Sequence, residues 1–179
     1  MIREISAGGV VVREIDGAWH IALIEPQKED SRPAKGGKQS RAVLCLPKGL
    51  VDAGESAEAA AVREVHEETG IAAEATAKLV DIKYVYVRSW GDGERVFKIV
   101  SFYLMKYVSG NIGEITDEMR IEVKRAVWAP LSEASKKMAY SGERKVVALA
   151  QEHLAAYGLA AKKPARLAKS APPAHHKDV

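Results

Sequence analysis

A chain of 179 residues, 47% of them hydrophobic, suits one domain with a sizeable core. The net charge of +3 is uneven: positions 159–179 carry Lys162, Lys163, Arg166, Lys169 and Lys177 against Asp178 alone, so the remainder is near −1, which argues against broad electrostatic binding to nucleic acid. No apolar run approaches the roughly 18 residues that cross a bilayer, and the single Cys45 allows neither an internal disulfide nor a cysteine-based metal site; a cytoplasmic protein without membrane attachment is expected.

Positions 5–13 and 19–25 are apolar, β-branched runs separated by Asp16 and Gly17, the pattern of an antiparallel hairpin. Gly8 and Gly9 inside the first run mark either a bulge or a close approach by a ligand or a second backbone. Positions 26–41 are polar without strand or helix period and read as a long loop placed to close over a substrate. The apolar run 43–46 holds Cys45 as a buried thiol and reads as a strand leading into a loop bracketed by Gly49 and Gly54.

Ser56 is then a helix N-cap, the alanines after it are strong helix formers, and Gly70 stands where a left-handed C-terminal cap belongs. Offsets of three and four place Glu64, Glu67 and Glu68 within roughly a 100° arc, with Val62, Val65 and Thr69 on another face. Such an acidic face is either solvated or, with loop carbonyls nearby, a seat for a hard cation.

Positions 79–88 and 95–108 read as long strands joined by 89–93. A period of two puts Tyr84, Tyr86 and Arg88 on one face, suited either to half-buried packing or to stacking on bases and pairing with phosphates. A short strand at 126–129 carries Trp128 and ends at Pro130, and Ser132 is placed to cap a short helix. Ser141 opens the last helix, whose Val146, Val147, Leu149, Ala150, Leu154 and Tyr157 form an apolar face for packing on the sheet. The expected division is a domain over 1–158 and a flexible basic tail over 159–179, in which His175 and His176 lack further ligands for a metal.

The spacing Gly49-x5-Glu55-x7-Arg63-Glu64-Val65-x-Glu67-Glu68-x-Gly70-Ile71 resembles the Nudix box of Nudix hydrolases at every defined position. The resemblance covers positions 5 to about 157. It implies an α/β fold, an α-β-α sandwich with a mixed central sheet, and an enzyme that uses Mg²⁺, with Mn²⁺ as an alternative, to cleave a phosphoanhydride bond in a nucleoside diphosphate linked to a further group. It further implies that Gly49, Glu64, Glu67 and Glu68 form the metal site, with Glu67 as base or additional ligand. Glu122, favoured over Glu114 and Glu118, would be a further catalytic carboxylate from the loop before the tryptophan-bearing strand. Arg63 paired with Glu55 would be structural. Lys48, where polyphosphate-cleaving relatives carry a lysine, would bind substrate together with Lys83, Tyr86, Arg88 and Arg95.

The substrate implied is a small nucleotide. The Pro47-Lys48-Gly49 entry, the strand from Lys83 to Arg88, and the turn at 92–96 leading towards Phe102, Tyr103 and Leu104 resemble bacterial dinucleoside polyphosphate hydrolases. Diphosphoinositol polyphosphate hydrolases share part of this pattern, and a MutT-like nucleoside triphosphate pyrophosphohydrolase is the other alternative. The chain has no proline between Pro47 and Pro130, where ADP-ribose hydrolases often carry one. A non-catalytic nucleotide sensor docking through positions 162–169 is disfavoured by the intact Glu64, Glu67 and Glu68.

Overall fold

The computed structural model describes residues 1–27, 42–88 and 93–159. Most of the expected loop at 26–41, most of the 89–93 connection and nearly all of the basic tail, with its histidine pair and docking segment, lie outside the described residues.

The hairpin is present as β1 (Ile2–Ile15) and β2 (Ala18–Pro26). Asp16 and Gly17 have φ of 50° and 77°, the two positive values that a tight two-residue hairpin turn requires. Pro26 closes β2, where the register against its neighbour shifts, a position that tolerates a missing N–H. The chain continues through β3 (Lys48–Leu50), α1 (Ala57–Thr69), β4 (Ala72–Val87), β5 (Arg95–Ser109), a 3₁₀ turn at Met119–Ile121, β6 (Val123–Pro130), α2 (Leu131–Lys137) and α3 (Ser141–Tyr157).

The sheet runs β4-β5-β1-β2-β6, with β3 added to β1. β1 and β5 are parallel and the other pairs antiparallel, so the sheet is mixed as expected. β1 is covered on both faces, which is why its sequence reads as a continuous apolar run. Val11 packs with Ala60, Ala61 and Val65 of α1. Its neighbours Val10 and Val12 pack with Ala134 of α2 and Val146, Val147 and Ala150 of α3 on the other side. The result is the three-layer sandwich.

Four details sharpen the expectations. At Gly8 an added Cβ would lie 2.3 Å from the Pro47 carbonyl oxygen, so the glycine serves a close backbone approach. The run 43–46 makes only isolated bridges, Ile24 with Cys45 and Leu44 with Met138, and continuous strand pairing starts at Lys48. Cys45 is buried there, and desolvation pushes its thiol up to about 12. β4 begins at Ala72, well before position 79, because pairing with β5 overrides the poor strand propensity of its alanine-rich start, at the cost of three register irregularities. Ser132 does not cap α2: the helix starts one residue earlier, at the buried Leu131 following Pro130, with no side-chain cap.

Candidate active site

Ser56 Oγ accepts the Ala59 N–H at 3.1 Å, and Gly70, at φ 79°, ends α1 by donating its N–H to the His66 carbonyl. The helix so defined turns Val65 and Thr69 fully into the core. Its acidic residues divide: the side chains of Glu64 and Glu68 are buried, whereas that of Glu67 is 42% exposed.

Arg63 organises this face. Its Nε and Nη2 donate to the two Glu55 oxygens at 2.9 and 2.8 Å, the forked pairing a guanidinium is shaped for. Nη1 reaches Glu64 at 2.8 Å and Glu67 at 3.2 Å, and Nη2 also donates to the Leu50 carbonyl at 2.9 Å. One side chain therefore fixes the loop, the helix and two acidic groups together. Gly49 lies against Glu64 so closely that an added Cβ would stand 2.1 Å from its carboxylate.

Glu68 Oε2 accepts the main-chain N–H of Lys48 at 2.9 Å. Burial pushes the Glu68 carboxyl up to about 8 against the opposing Lys48 amide and ammonium, and Glu64 and Glu122 add to the rise. Burial likewise raises Glu64, with Arg63 opposing. Two buried carboxylates one helical turn apart, each disfavoured in its charged form, are the electrostatic setting that a hard cation relieves. Among the described residues no three His, Cys, Asp or Glu side chains are gathered tightly enough to hold an ion alone. A cation held by Glu64 and Glu68 would complete its shell with water and phosphate oxygens, the habit of Mg²⁺.

Glu122 directly follows the Met119–Ile121 turn, where its carbonyl accepts the Gln27 N–H at 2.7 Å. It borders a small cleft of about 390 Å³ together with His66, Glu67, Glu114 and Glu118, so the three glutamates considered from sequence line one cleft with Glu67.

On the α3 side of the sheet lies a larger cleft of about 870 Å³. β4 contributes Lys83, Tyr84 and Tyr86, β5 contributes Lys98, and the start of α3 contributes Glu143 and Lys145, with Tyr140 just before it. Lys48 reaches this cleft too, its ammonium 3.4 Å from Glu143. Coulombic attraction to Glu143 raises the ammonium's proton affinity in spite of strong desolvation.

The structure gathers Lys48, Lys83 and Tyr86 at one cleft, sets Arg88 beside Tyr86 on a shared Glu4 carboxylate, and leaves Arg95 apart from the expected binding set. Arg88 donates to Glu4 Oε1 at 2.9 Å, while Tyr86 Oη donates to Glu4 Oε2 at 2.9 Å and Lys98 stands 3.7 Å away. The bond from Arg88 leads in holding Glu4 below the usual carboxylate range. Arg95, paired in register with Val87, is exposed and does not line the cleft. Sequence reasoning missed Glu4, Lys98, Tyr140 and Glu143. Each comes from a different part of the chain, and Glu143 in particular reads as an ordinary acidic residue in a helix's first turn.

The NUDIX domain model matches residues 3–150. The putative mutator protein MutT4 of Mycobacterium tuberculosis is 39% identical over 154 residues, covering 84% of this chain and 56% of that protein. An 8-oxo-(d)GTP phosphatase of Mycolicibacterium smegmatis is 32% identical over 102 residues, 57% of this chain and 28% of that protein. The chain thus spans little more than half the length of the first of these curated relatives and less than a third of the second. Among solved structures, a C. elegans Ap4A hydrolase binary complex superposes with a TM-score of 0.60 at 22% identity, over 86% of this chain and 99% of that one, a likeness of fold. With the box residues assembled around α1 and the family model spanning most of the sequence, the chain belongs to the NUDIX domain family.

Proposed function

We propose that the chain is a Nudix pyrophosphohydrolase that uses Mg²⁺, or Mn²⁺ in its place, to cleave a phosphoanhydride bond in a nucleoside diphosphate linked to a further group, with a dinucleoside polyphosphate as the preferred substrate. The observation that carries this reading is the position of Lys48 between the two halves of the site. Its amide holds Glu68 on the acidic side, and its side chain enters the tyrosine- and lysine-lined cleft. A nucleotide whose base lies among Tyr84, Tyr86 and Tyr140 therefore extends its phosphates towards α1.

In this reading Glu64 and Glu68 hold the cation, with Gly49 beside them. When bound, the cation neutralises charge developing on the phosphates and makes water a better nucleophile. Glu67 or Glu122, both exposed and both lining the smaller cleft, accepts the proton of the attacking water. Arg63 keeps Glu64 and Glu67 in place and does not touch substrate. Lys48, Lys83, Lys98 and Lys145 surround the bridging phosphates, and a long anionic bridge engages more of them than an undamaged mononucleotide does.

A second reading, a MutT-like nucleoside triphosphate pyrophosphohydrolase, is supported by the names of the sequence relatives. The test is kcat/KM with added Mg²⁺ on dinucleoside polyphosphates, damaged and normal nucleoside triphosphates, ADP-ribose and diphosphoinositols. Highest values for dinucleoside polyphosphates support the first reading, and far higher values for damaged triphosphates replace it with the second. Absence of Mg²⁺-dependent phosphoanhydride cleavage across the panel overturns both.

A further inference from the structure

Glu143 is a carboxylate that neither the family's sequence pattern nor the proposed chemistry uses, yet it is among the most deeply buried charged groups of the molecule, with 4% of its surface exposed. A buried carboxylate persists only where partners compensate it, and both partners of Glu143 lie on one short segment far away in sequence. Its Oε2 accepts the Leu46 N–H at 2.8 Å, and its Oε1 stands 3.4 Å from the Lys48 ammonium. Between them, Pro47 is held from the other side, where its carbonyl accepts the Gly9 N–H at 3.2 Å and a Cβ on Gly8 could not fit. The segment 46–48 is thus gripped by α3 and by β1. The next bond in the chain of contacts runs from the Lys48 N–H to Glu68 Oε2.

We propose that Glu143 is a positioning residue: anchored in the first turn of α3, it fixes the segment 46–48 and thereby sets where the Lys48 amide holds Glu68 in the cation-binding pair. The proposal rests on the assignment of Glu64 and Glu68 as cation ligands made above. Glu143 itself touches neither cation nor reacting phosphate. Groups that orient a metal-binding carboxylate commonly change cation affinity when removed, whereas an ion pair that only joins α3 to the sheet changes stability alone.

The experiment uses the full chain carrying Glu143→Ala or Glu143→Gln. It reads Mn²⁺ affinity of the nucleotide-free protein by electron paramagnetic resonance, the ¹H–¹⁵N resonance of the Lys48 amide, and kcat and KM separately. Glu143→Ala is expected to weaken Mn²⁺ binding by about tenfold, to displace the Lys48 resonance, and to lower kcat with little change in KM. Glu143→Gln keeps an acceptor for the Leu46 N–H and loses the charge opposite Lys48, so an intermediate loss of about threefold is expected on the same grounds. If the alanine variant does not fold, the near-isosteric glutamine variant decides the matter: weakened Mn²⁺ binding with a displaced Lys48 resonance supports the proposal. Unchanged Mn²⁺ affinity with only a lower melting temperature overturns it, as does a rise in KM at constant kcat, which would make Glu143 a substrate contact. Failure of the proposed hydrolysis is distinct, appearing as a wild-type protein without turnover, while Mn²⁺ affinity and the Lys48 resonance still report on Glu143.

Discussion

α1 and the loop before it hold nearly the whole proposed cation-binding centre within one continuous stretch, from Lys48 to Gly70, whereas the larger cleft takes Tyr84 from β4, Lys98 from β5, and Tyr140 and Glu143 from the start of α3. The first is built by helix period and a capped turn, which act over a few residues. The second is built by strand register and by a helix arriving from the far end of the domain. The two also differ in charge. Buried carboxylates disfavoured in their ionised form dominate the first, while in the second Lys48 faces Glu143 and Lys98 faces Glu4. Under the proposed function, chemistry and recognition should accordingly be separable by mutation.

The largest expected effect lies on the acidic side. Glu68→Gln keeps the shape of the side chain and an acceptor for the Lys48 N–H but removes a buried carboxylate charge. Turnover should fall by about 10²-fold or more, and Glu67→Gln should match it if Glu67 is the base. Steady-state kinetics with added Mg²⁺, alongside circular dichroism to confirm an unaltered fold, measures this. Near-normal Mg²⁺-dependent rates in both variants would remove the distinction between the two regions.

The cleft should respond differently. Tyr84→Ala removes a ring from the cleft wall, 41% exposed and 6.3 Å from the Tyr86 ring. Stacking of one base is worth roughly 1–3 kcal/mol, so KM should rise by about tenfold while kcat changes little. A loss in kcat equal to that of the acidic variants would show that the cleft takes part in the chemistry.

The contrast also explains what could be read from sequence. Ser56, Gly70 and the spacing of the glutamates specify α1 locally, and the forked pair between Arg63 and Glu55 spans eight residues across a turn and one helical segment. Alternation in β4 placed Tyr84 and Tyr86 together correctly. Nothing local could place Glu143 against Leu46, a contact separated by 97 positions, or Glu4 against Arg88, separated by 84. The burial of Glu64 and Glu68 beside an exposed Glu67 was equally hidden, because helical period gives an arc and not the depth at which each side chain meets the sheet.

A smaller effect, in stability, comes from the raised carboxyl of Glu68. Its folded value of about 8 stands above the ordinary 4.5, so between these values the folded protein free of divalent cations retains a proton that the unfolded chain has released. The stability contributed by that proton is complete below the unfolded value and is lost as pH rises through the folded one. Glu64 shifts in the same direction. Glu4 and Glu25 are lowered, so their contribution is lost only as pH falls through the acid carboxylate range, outside this window. In a chelator the melting temperature should decline from pH 5.5 to pH 8.5, roughly the span between the two Glu68 values. Mg²⁺ should reverse the decline, and Glu68→Gln should flatten it. A melting temperature independent of pH in the chelator would contradict the buried-carboxylate account.

The smallest effect tests the geometry of the cleft most directly. From sequence, Arg95 joins Lys48, Lys83 and Arg88 as a cation able to engage phosphates, in a turn at 92–96 that resembles that of dinucleoside polyphosphate hydrolases. In the sheet, Tyr84 pairs with Lys98 and both line the cleft. Arg95 lies three residues before Lys98 on β5, and an odd offset along a strand turns a side chain to the opposite face. It is paired with Val87, which is 60% exposed, and is itself exposed. Its charge acts across solvent, where a Debye length of about 8 Å at physiological salt screens it from phosphates on the far face. Arg95→Ala should therefore leave kcat/KM for dinucleoside polyphosphates within about twofold of wild type, a difference below roughly 0.5 kcal/mol. Lys98→Ala, on the cleft side of the same strand, should cost more. A tenfold loss at Arg95 would mean that substrate wraps around the edge of β4 to reach the other face, and the division between a catalytic side and a recognition side would have to be redrawn.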